Sequence, residues 1–183
     1  MKKVLVPLAD GFEEIETVTI IDILRRAGVD VTVAGIRTGE LTGSRRIRLL
    51  PDAVLDDIKD NEFDAVVLPG GQLGVDHLRK DPRVIEILKK MNEKKKLIGA
   101  ICAAPLALRD AGLIEGVRLT SYPGIADDLA ASRYEESRVV LDGRILTSRA
   151  PGTALEFSLK LVELLTGKER AEEIGRLVLA PHS

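Results

Sequence analysis

Short apolar runs and amphipathic helical stretches alternate along the whole chain. The runs at residues 3–9, 63–68 and 97–101 have the length and composition of buried strands. Helical periodicity lies between such runs, for example over residues 13–27, where Gly28 provides the stop. Because parallel strands need crossover connections, this alternation predicts an α/β fold with a mostly parallel sheet and helices on both faces.

The other predicted elements continue the same alternation, and 183 residues fit one domain spanning 1–183. A hairpin is expected at 139–141 and 145–148, with Asp142-Gly143 as its turn. In the first helix, Ile15, Val18, Ile21 and Leu24 are expected on the buried face, widened by Ile20, Ile23 and Ala27. Further strands are expected at 29–34 and, more weakly, 47–50, and further helices at 82–92, 103–111, 152–165 and 169–177.

Composition excludes several function classes. The net charge of −2 gives no reason to expect nucleic acid or an anionic membrane as a partner, and no stretch is long enough to span a bilayer. One cysteine and two scattered histidines, His77 and His182, do not make a zinc site. The chain contains neither a Walker motif nor G-x-G-x-x-G, so we expect no nucleotide cofactor. With no export signal and no possible internal disulfide, we expect a cytoplasmic protein.

The single cysteine follows a predicted strand directly. In open α/β sheets, ligand sites lie beyond the carboxyl ends of the strands, and Cys102 occupies such a position. The small residues Ala103 and Ala104, with Pro105 opening a helix, predict a sharp turn like a nucleophile elbow. A helix N-terminus would lower the thiol pKa and favour a reactive thiolate. The alternative is a small buried cysteine that acts as a hydrophobic residue.

Two more strand ends carry groups that could assist a thiol. Gly70 and Gly71 follow the strand at 63–68, and their backbone N–H groups could hold an oxyanion; the alternative is an ordinary glycine turn. In the first helix, Glu13 and Glu14 suit simple capping, whereas Glu16 shares the stripe of Ile20 and Ile23. A buried Glu16 beside Cys102 would have a raised pKa and could donate a hydrogen bond to a thiolate, although an exposed Glu16 is an equal alternative.

Together these segments resemble the ThiJ/PfpI superfamily, in particular its Parkinson-disease deglycase branch and the bacterial relatives of that branch. The resemblance covers nearly the whole chain and implies a flavodoxin-like three-layer sandwich and a homodimer. The stretches that carry it are DGFEEIETVTIIDILRRAGVDVTVAG at 10–35, VVLPGGQLG at 66–74, AICAAPLAL at 100–108 and LTSRAPGT at 146–153.

The resemblance also implies roles for individual residues. Cys102 is the nucleophile, Glu16 its protonated partner, and Gly71 and the backbone of Ala103 border an oxyanion pocket. The remaining matches are Arg45, an arginine near the pocket at the dimer interface, with Arg26 close to it, and Pro151 and Thr153, which line the site.

The chain departs from the family pattern at two positions. The branch often has a histidine near the cysteine, but Tyr122 occupies that position here, so Glu16 would carry more of the proton transfer. The protease-like branch has a histidine directly after its cysteine, where this chain has Ala103, which argues against a cysteine peptidase.

The function implied is cofactor-independent chemistry on methylglyoxal-type dicarbonyls or their early adducts, as a glyoxalase or deglycase. Cys102 would attack the aldehyde carbon and Glu16 would shuttle a proton. The alternative is a redox-sensing stress protein with chaperone-like activity, in which Cys102 is oxidised.

Overall fold

The computed structural model describes residues 1–58 and 63–181. Its helices are α1 (Glu14–Arg26), α2 (Gln72–Lys80), α3 (Pro82–Glu93), α4 (Pro105–Asp110), α5 (Ala154–Thr166) and α6 (Lys168–Leu177). Its strands are β1 (Lys3–Leu8), β2 (Asp30–Gly35), β3 (Leu41–Thr42), β4 (Arg48–Leu49), β5 (Ala53–Val54), β6 (Ala65–Leu68), β7 (Leu97–Ile101), β8 (Arg118–Leu119), β9 (Arg133–Tyr134), β10 (Val139–Asp142) and β11 (Ile145–Ser148).

Seven of these strands form one sheet in the order β10-β11-β7-β6-β1-β2-β5. Neighbouring strands are parallel except for the antiparallel hairpin of β10 and β11. The fold is therefore the predicted mostly parallel α/β sheet, and the hairpin with its turn at Asp142-Gly143 is confirmed. Two short pairs, β3 with β4 and β8 with β9, lie outside this sheet.

The sheet has a separate hydrophobic core on each face, which makes three layers. Alternate residues of β1 belong to opposite cores: Val4 and Val6 to one and Leu5 to the other. Helices α1, α5 and α6 contribute to the first core, and α2, α3 and α4 to the second. Gly99 in β7 allows close packing from α5, because a Cβ at this position would lie 3.1 Å from Phe157.

Two predictions about local structure were wrong. Ile15 is 59% exposed and Val18 49% exposed, although both were expected on the buried face of the first helix. The rest of the predicted face is buried, including Ile21 and Leu24, and the inward side is shifted toward Glu16, Ile20 and Ile23. The expected strand at 47–50 is only the two-residue β4, which pairs with β3 and never joins the sheet.

Candidate active site

Cys102 lies at a sharp turn directly after β7. Its backbone has φ of +63°, a left-handed conformation that a residue with a side chain adopts only at some cost. Its N–H donates to the carbonyl of Ser148 at 3.0 Å, and its carbonyl accepts from the N–H of Tyr122 at 2.9 Å. These bonds tie the turn to the end of β11 and to the segment after β8, and they hold the thiol at the carboxyl edge of the sheet.

Two backbone N–H groups are directed at the Cys102 thiol, those of Gly71 and Ala103. Gly71 has φ of +92°, and a Cβ there would overlap the carbonyl oxygen of Gly11. Glycine is therefore the residue that can bring this N–H to the sulfur. These are the two groups that the family resemblance implies at an oxyanion pocket.

Glu16 lies within the protein with no exposed surface. Its Oε2 accepts the N–H of Gly70 at 2.7 Å, whereas Oε1 has no hydrogen-bond partner in the described part of the chain. Burial raises the pKa of Glu16 to about 7, against the opposing effect of the Gly70 bond. The side chain therefore exchanges a proton near neutral pH, with one oxygen available to do so.

The pKa of the Cys102 thiol is raised, whereas the sequence analysis expected it to be lowered. Burial and the neighbouring Glu16 carboxylate raise the pKa of Cys102 to about 12, although the Gly71 and Ala103 N–H groups act in the other direction. The prediction failed because the helix α4 starts only at Pro105 and has six residues, and because it left out the repulsion between two buried anions. Thiolate and carboxylate therefore do not coexist near neutral pH, and the pair holds a proton between them.

Gly70 positions this pair. A Cβ at Gly70 would lie 2.5 Å from Oε2 of Glu16 and 2.6 Å from Cβ of Cys102, so both side chains pack against the glycine. Its N–H is occupied by Glu16, and its carbonyl accepts the N–H of Glu13 at 2.9 Å. Gly70 was expected to offer an N–H to substrate; in the structure that N–H orients the acid instead.

The other predicted residues around Cys102 are placed as follows. The backbone N–H of Tyr122 donates to the carbonyl of Cys102, and the ring of Tyr122 is half exposed. Pro151 begins a short 3-10 turn that ends at Thr153. The Thr153 hydroxyl is used within the protein, since it bonds the hydroxyl of Ser148 at 2.6 Å and accepts backbone N–H groups of the loop after β11. Thr153 thus fixes this loop.

Arg45 and Arg26 are not brought to Cys102 within one chain. The Arg45 guanidinium is exposed and reaches only the carbonyl of Ser44, at 3.3 Å, while Arg26 pairs with Asp22 at 2.7 Å. Among the contacts of the described residues, neither arginine touches the thiol or Glu16.

Glu14 is a functional contact that the sequence reasoning missed. Glu13 caps the first helix as expected, with Oε2 accepting the Glu16 N–H at 2.7 Å. Glu14, however, is only 4% exposed, and its carboxyl accepts the N–H of Arg45 at 2.5 Å and the hydroxyl of Ser44 at 3.0 Å. Glu13 and Glu14 give the same capping signal, so no local pattern separates the roles of these two acids.

The described residues contain no group of three or more His, Cys, Asp or Glu side chains that could hold a metal ion. His77 is exposed and bonds the carbonyl of Asp10 at 3.0 Å, while His182 lies outside the described residues. Within the same ranges, no helix combines the length and apolar character needed to cross a membrane.

Comparison with known proteins finds relatives that are similar over most of this chain. The Parkinson disease protein 7 homolog of Danio rerio is 46% identical over 178 residues, covering 94% of this chain and 94% of that protein. The glutathione-independent glyoxalase DJR-1.2 of Caenorhabditis elegans is 37% identical over 173 residues, covering 93% of this chain and 91% of that protein. The chain spans less than half of protein DJ-1 homolog B of Arabidopsis thaliana, covering 41% of it at 40% identity over 97% of this chain.

Solved structures show the same fold. The crystal structure of Drosophila melanogaster DJ-1beta superimposes with a TM-score of 0.96 at 42% identity, covering 99% of each chain. The mostly parallel sheet and its surrounding helices are thus the flavodoxin-like arrangement of these proteins. The sequence model of the DJ-1/PfpI family matches residues 2–164, a range that contains Cys102, Glu16 and the Gly70-Gly71 turn. This chain belongs to the DJ-1/PfpI family.

Proposed function

We propose that this chain is a cofactor-independent glyoxalase that acts on methylglyoxal-type dicarbonyls or their early adducts. The observation that carries the proposal is the Cys102 thiol, placed between two backbone N–H donors and a buried carboxyl with a pKa of about 7. The similarity to a relative named as a glutathione-independent glyoxalase supports the same reaction.

The first step is addition of the thiol to the aldehyde. The Glu16 carboxylate takes the thiol proton as Cys102 Sγ bonds to the aldehyde carbon, and the carbonyl electrons move to its oxygen. The N–H groups of Gly71 and Ala103 stabilise that oxyanion, which then takes the proton back from Glu16. The product is a neutral hemithioacetal, and Glu16 is again a carboxylate.

The second step moves hydrogen between the two carbons. Glu16 removes the hydrogen on the thioacetal carbon as a proton, giving an enediolate; the hydroxyl proton on that carbon's oxygen moves to the neighbouring oxygen, and Glu16 returns its proton to the neighbouring carbon. The result is a lactoyl thioester on Cys102. Water then attacks this thioester, the carbon–sulfur bond breaks, and lactate leaves while the thiol is restored. Substrate and one water become lactate, so no oxidant, reductant or cofactor enters the balance.

Purified protein given methylglyoxal tests the proposal, with lactate measured as product. Because Glu16 must be ionised to accept the thiol proton, we expect kcat/KM to fall about tenfold per pH unit below the Glu16 pKa. We expect Cys102→Ser to abolish turnover. Equal lactate formation by wild type and Cys102→Ser would overturn the proposal. The same assay with glycated amino acids, with the free aldehyde trapped, separates a deglycase from a glyoxalase.

We further propose that the protein acts as a homodimer. Its exposed apolar side chains include Ile15 and Val18 of α1 and Ile47 and Leu50 around β4. Val18 and Leu50 line one groove of about 250 Å³. Contiguous exposed apolar surface of this kind is typical of an interface. Sedimentation of wild type and Val18→Asp tests this: a wild-type monomer would contradict it.

In this proposal Arg45 lies near the pocket only in the dimer. The proposed location is the cytoplasm, because its reducing conditions keep the Cys102 thiol free.

A further inference from the structure

The loop after β11 borders the thiol and begins with Arg149. Ser148, the last residue of β11, accepts the Cys102 N–H at 3.0 Å, so the next residue starts beside the nucleophile. Thr153 fixes this loop, because its Oγ1 accepts the N–H groups of Arg149 at 3.2 Å and Ala150 at 3.1 Å. The backbone of Arg149 is thus held firmly at the edge of the site.

The Arg149 side chain extends from this point along the edge of the site. Its guanidinium donates to the carbonyl of Glu136 at 2.6 Å. Glu136 follows Glu135, whose N–H donates to the carbonyl of Leu119 at 2.8 Å, and the segment from Leu119 leads to Tyr122, which donates to Cys102. The Arg149 guanidinium therefore bonds a residue next to the one that holds this segment, which carries the half-exposed ring of Tyr122.

Arg149 differs from the other partly buried arginines of the described residues. Arg79, Arg83, Arg109 and Arg170 each pair with at least one carboxylate. Within residues 1–58 and 63–181, Arg149 has no carboxylate partner, and one carbonyl leaves most of its five N–H donors unused. A partly buried guanidinium at the edge of the site, with most of its donors unused, can bind an anionic ligand through them.

We infer that Arg149 is a specificity-determining residue that binds a carboxylate on the substrate. This inference rests on the proposed function and names its substrate class: dicarbonyls, or their amino-acid adducts, whose chain ends in a carboxylate. A guanidinium fork binds a carboxylate through two parallel bonds.

Two substrates of matched shape test this inference, dioxovalerate and its methyl ester, which carry the same oxo-aldehyde with and without the negative charge. For wild type we expect kcat/KM about tenfold higher for the acid, mainly through KM, since a charge-assisted pair is lost in the ester. Arg149→Gln should remove this preference and leave methylglyoxal turnover within about twofold, because that substrate has no carboxylate. Arg149→Lys should keep part of the preference for the acid over the methyl ester.

Arg144→Gln is the matched control, since it changes an exposed arginine at the opposite end of β11. A wild type without the preference, or an Arg149→Gln variant that keeps it, would overturn the inference.

A second readout does not depend on turnover. Levulinate has the chain and carboxylate of dioxovalerate but no aldehyde, and methyl levulinate lacks the charge. We expect levulinate to slow alkylation of Cys102 by iodoacetamide in wild type and Arg144→Gln, but not in Arg149→Gln. Equal protection by acid and ester contradicts the inference even if methylglyoxal is turned over. Absent methylglyoxal turnover, with charge-selective protection intact, contradicts the proposed function alone.

Discussion

Helix α1 buries two glutamates, two residues apart, in opposite environments. Glu14 accepts bonds from Arg45, Ser44 and Ile47, and although burial opposes them, these bonds hold its pKa below the ordinary value. Glu16 has one N–H donor, from Gly70, and burial raises its pKa to about 7. The difference teaches that a carboxyl with several donors holds a loop in place, whereas a more deeply buried carboxyl with a single donor exchanges a proton.

The largest effect we expect separates the two acids by activity. Glu16→Gln keeps the shape and removes the base, so methylglyoxal turnover should fall by about 10²- to 10⁴-fold, the usual contribution of a general acid-base. Glu14→Gln should lose less than about tenfold, because its carboxyl does not meet the thiol. Lactate formation by the two variants is the measurement. Equal losses would show that the comparison between these acids has no catalytic meaning.

The second prediction concerns the glycine that holds the pair together. Gly70→Ala would place a methyl group against both Glu16 and Cys102, so we expect turnover to fall by roughly 10²-fold through misplacement of the reacting groups. Gly152→Ala is the control, because a Cβ at Gly152 would meet nothing within 4 Å. Steady-state kinetics and thermal melts of both variants check this. A Gly70→Ala enzyme with wild-type kinetics contradicts the packing described here.

The third prediction tests the structural role of Glu14. Glu14→Ala leaves the N–H of Arg45 and the hydroxyl of Ser44 without their acceptor, so we expect the free energy of unfolding to drop by about 3 kcal/mol. Urea denaturation monitored by circular dichroism gives this value. Glu16→Gln serves as the comparison and should not lose stability at neutral pH. A loss below about 1 kcal/mol for Glu14→Ala would mean that the loop is held by other contacts.

The fourth and smallest effect is the pH dependence of stability. Glu16 has a folded-state pKa raised from 4.5 to about 7, so the folded state binds more protons than the unfolded state between these values. Its contribution is therefore fully present below pH 4.5 and is lost as pH rises through 7. Between pH 5 and 7 we expect wild type to lose about 2 kcal/mol relative to Glu16→Gln.

The same denaturation series with Glu14→Gln should show a pH dependence of the free energy of unfolding that is opposite in sign to that of Glu16. The lowered pKa of Glu14 contributes stability above its unfolded value, and this is lost as pH falls through the folded pKa. Parallel stability curves for wild type and Glu16→Gln across pH 5 to 7 would contradict the raised pKa of Glu16.

Much of the fold follows from local patterns. Each main strand of the sheet has an apolar run with clear ends, and β7 lies where its run predicts, directly before Cys102. The inward side of α1 was ambiguous, because Ile15 and Val18 continue an apolar stripe that the chain leaves exposed. A sequence pattern cannot distinguish a face that packs on the sheet from one that is free to pack on another molecule.

The sequence predicts several groups of the candidate site but not their energetics. The turn at Cys102 and the Gly70-Gly71 turn can each be seen from position in the chain, whereas position left burial and exposure of Glu16 equally open. The pKa of the Cys102 thiol could not be predicted from the sequence, because it depends on the charge of the Glu16 carboxyl, which only the folded chain brings close to the sulfur. The role of Glu14 and the place of Arg149 were hidden for the same reason, since their partners lie far away in sequence.

The measurement that tests this account most directly is the titration of the Glu16 carboxyl by infrared difference spectroscopy. We predict a protonated-carboxyl stretch that disappears with a midpoint near pH 7, that is absent from Glu16→Gln and that remains in Glu14→Gln. A wild-type spectrum with no protonated carboxyl above pH 5, or a signal that Glu16→Gln leaves unchanged, would contradict the claim that Glu16 exchanges the proton of Cys102.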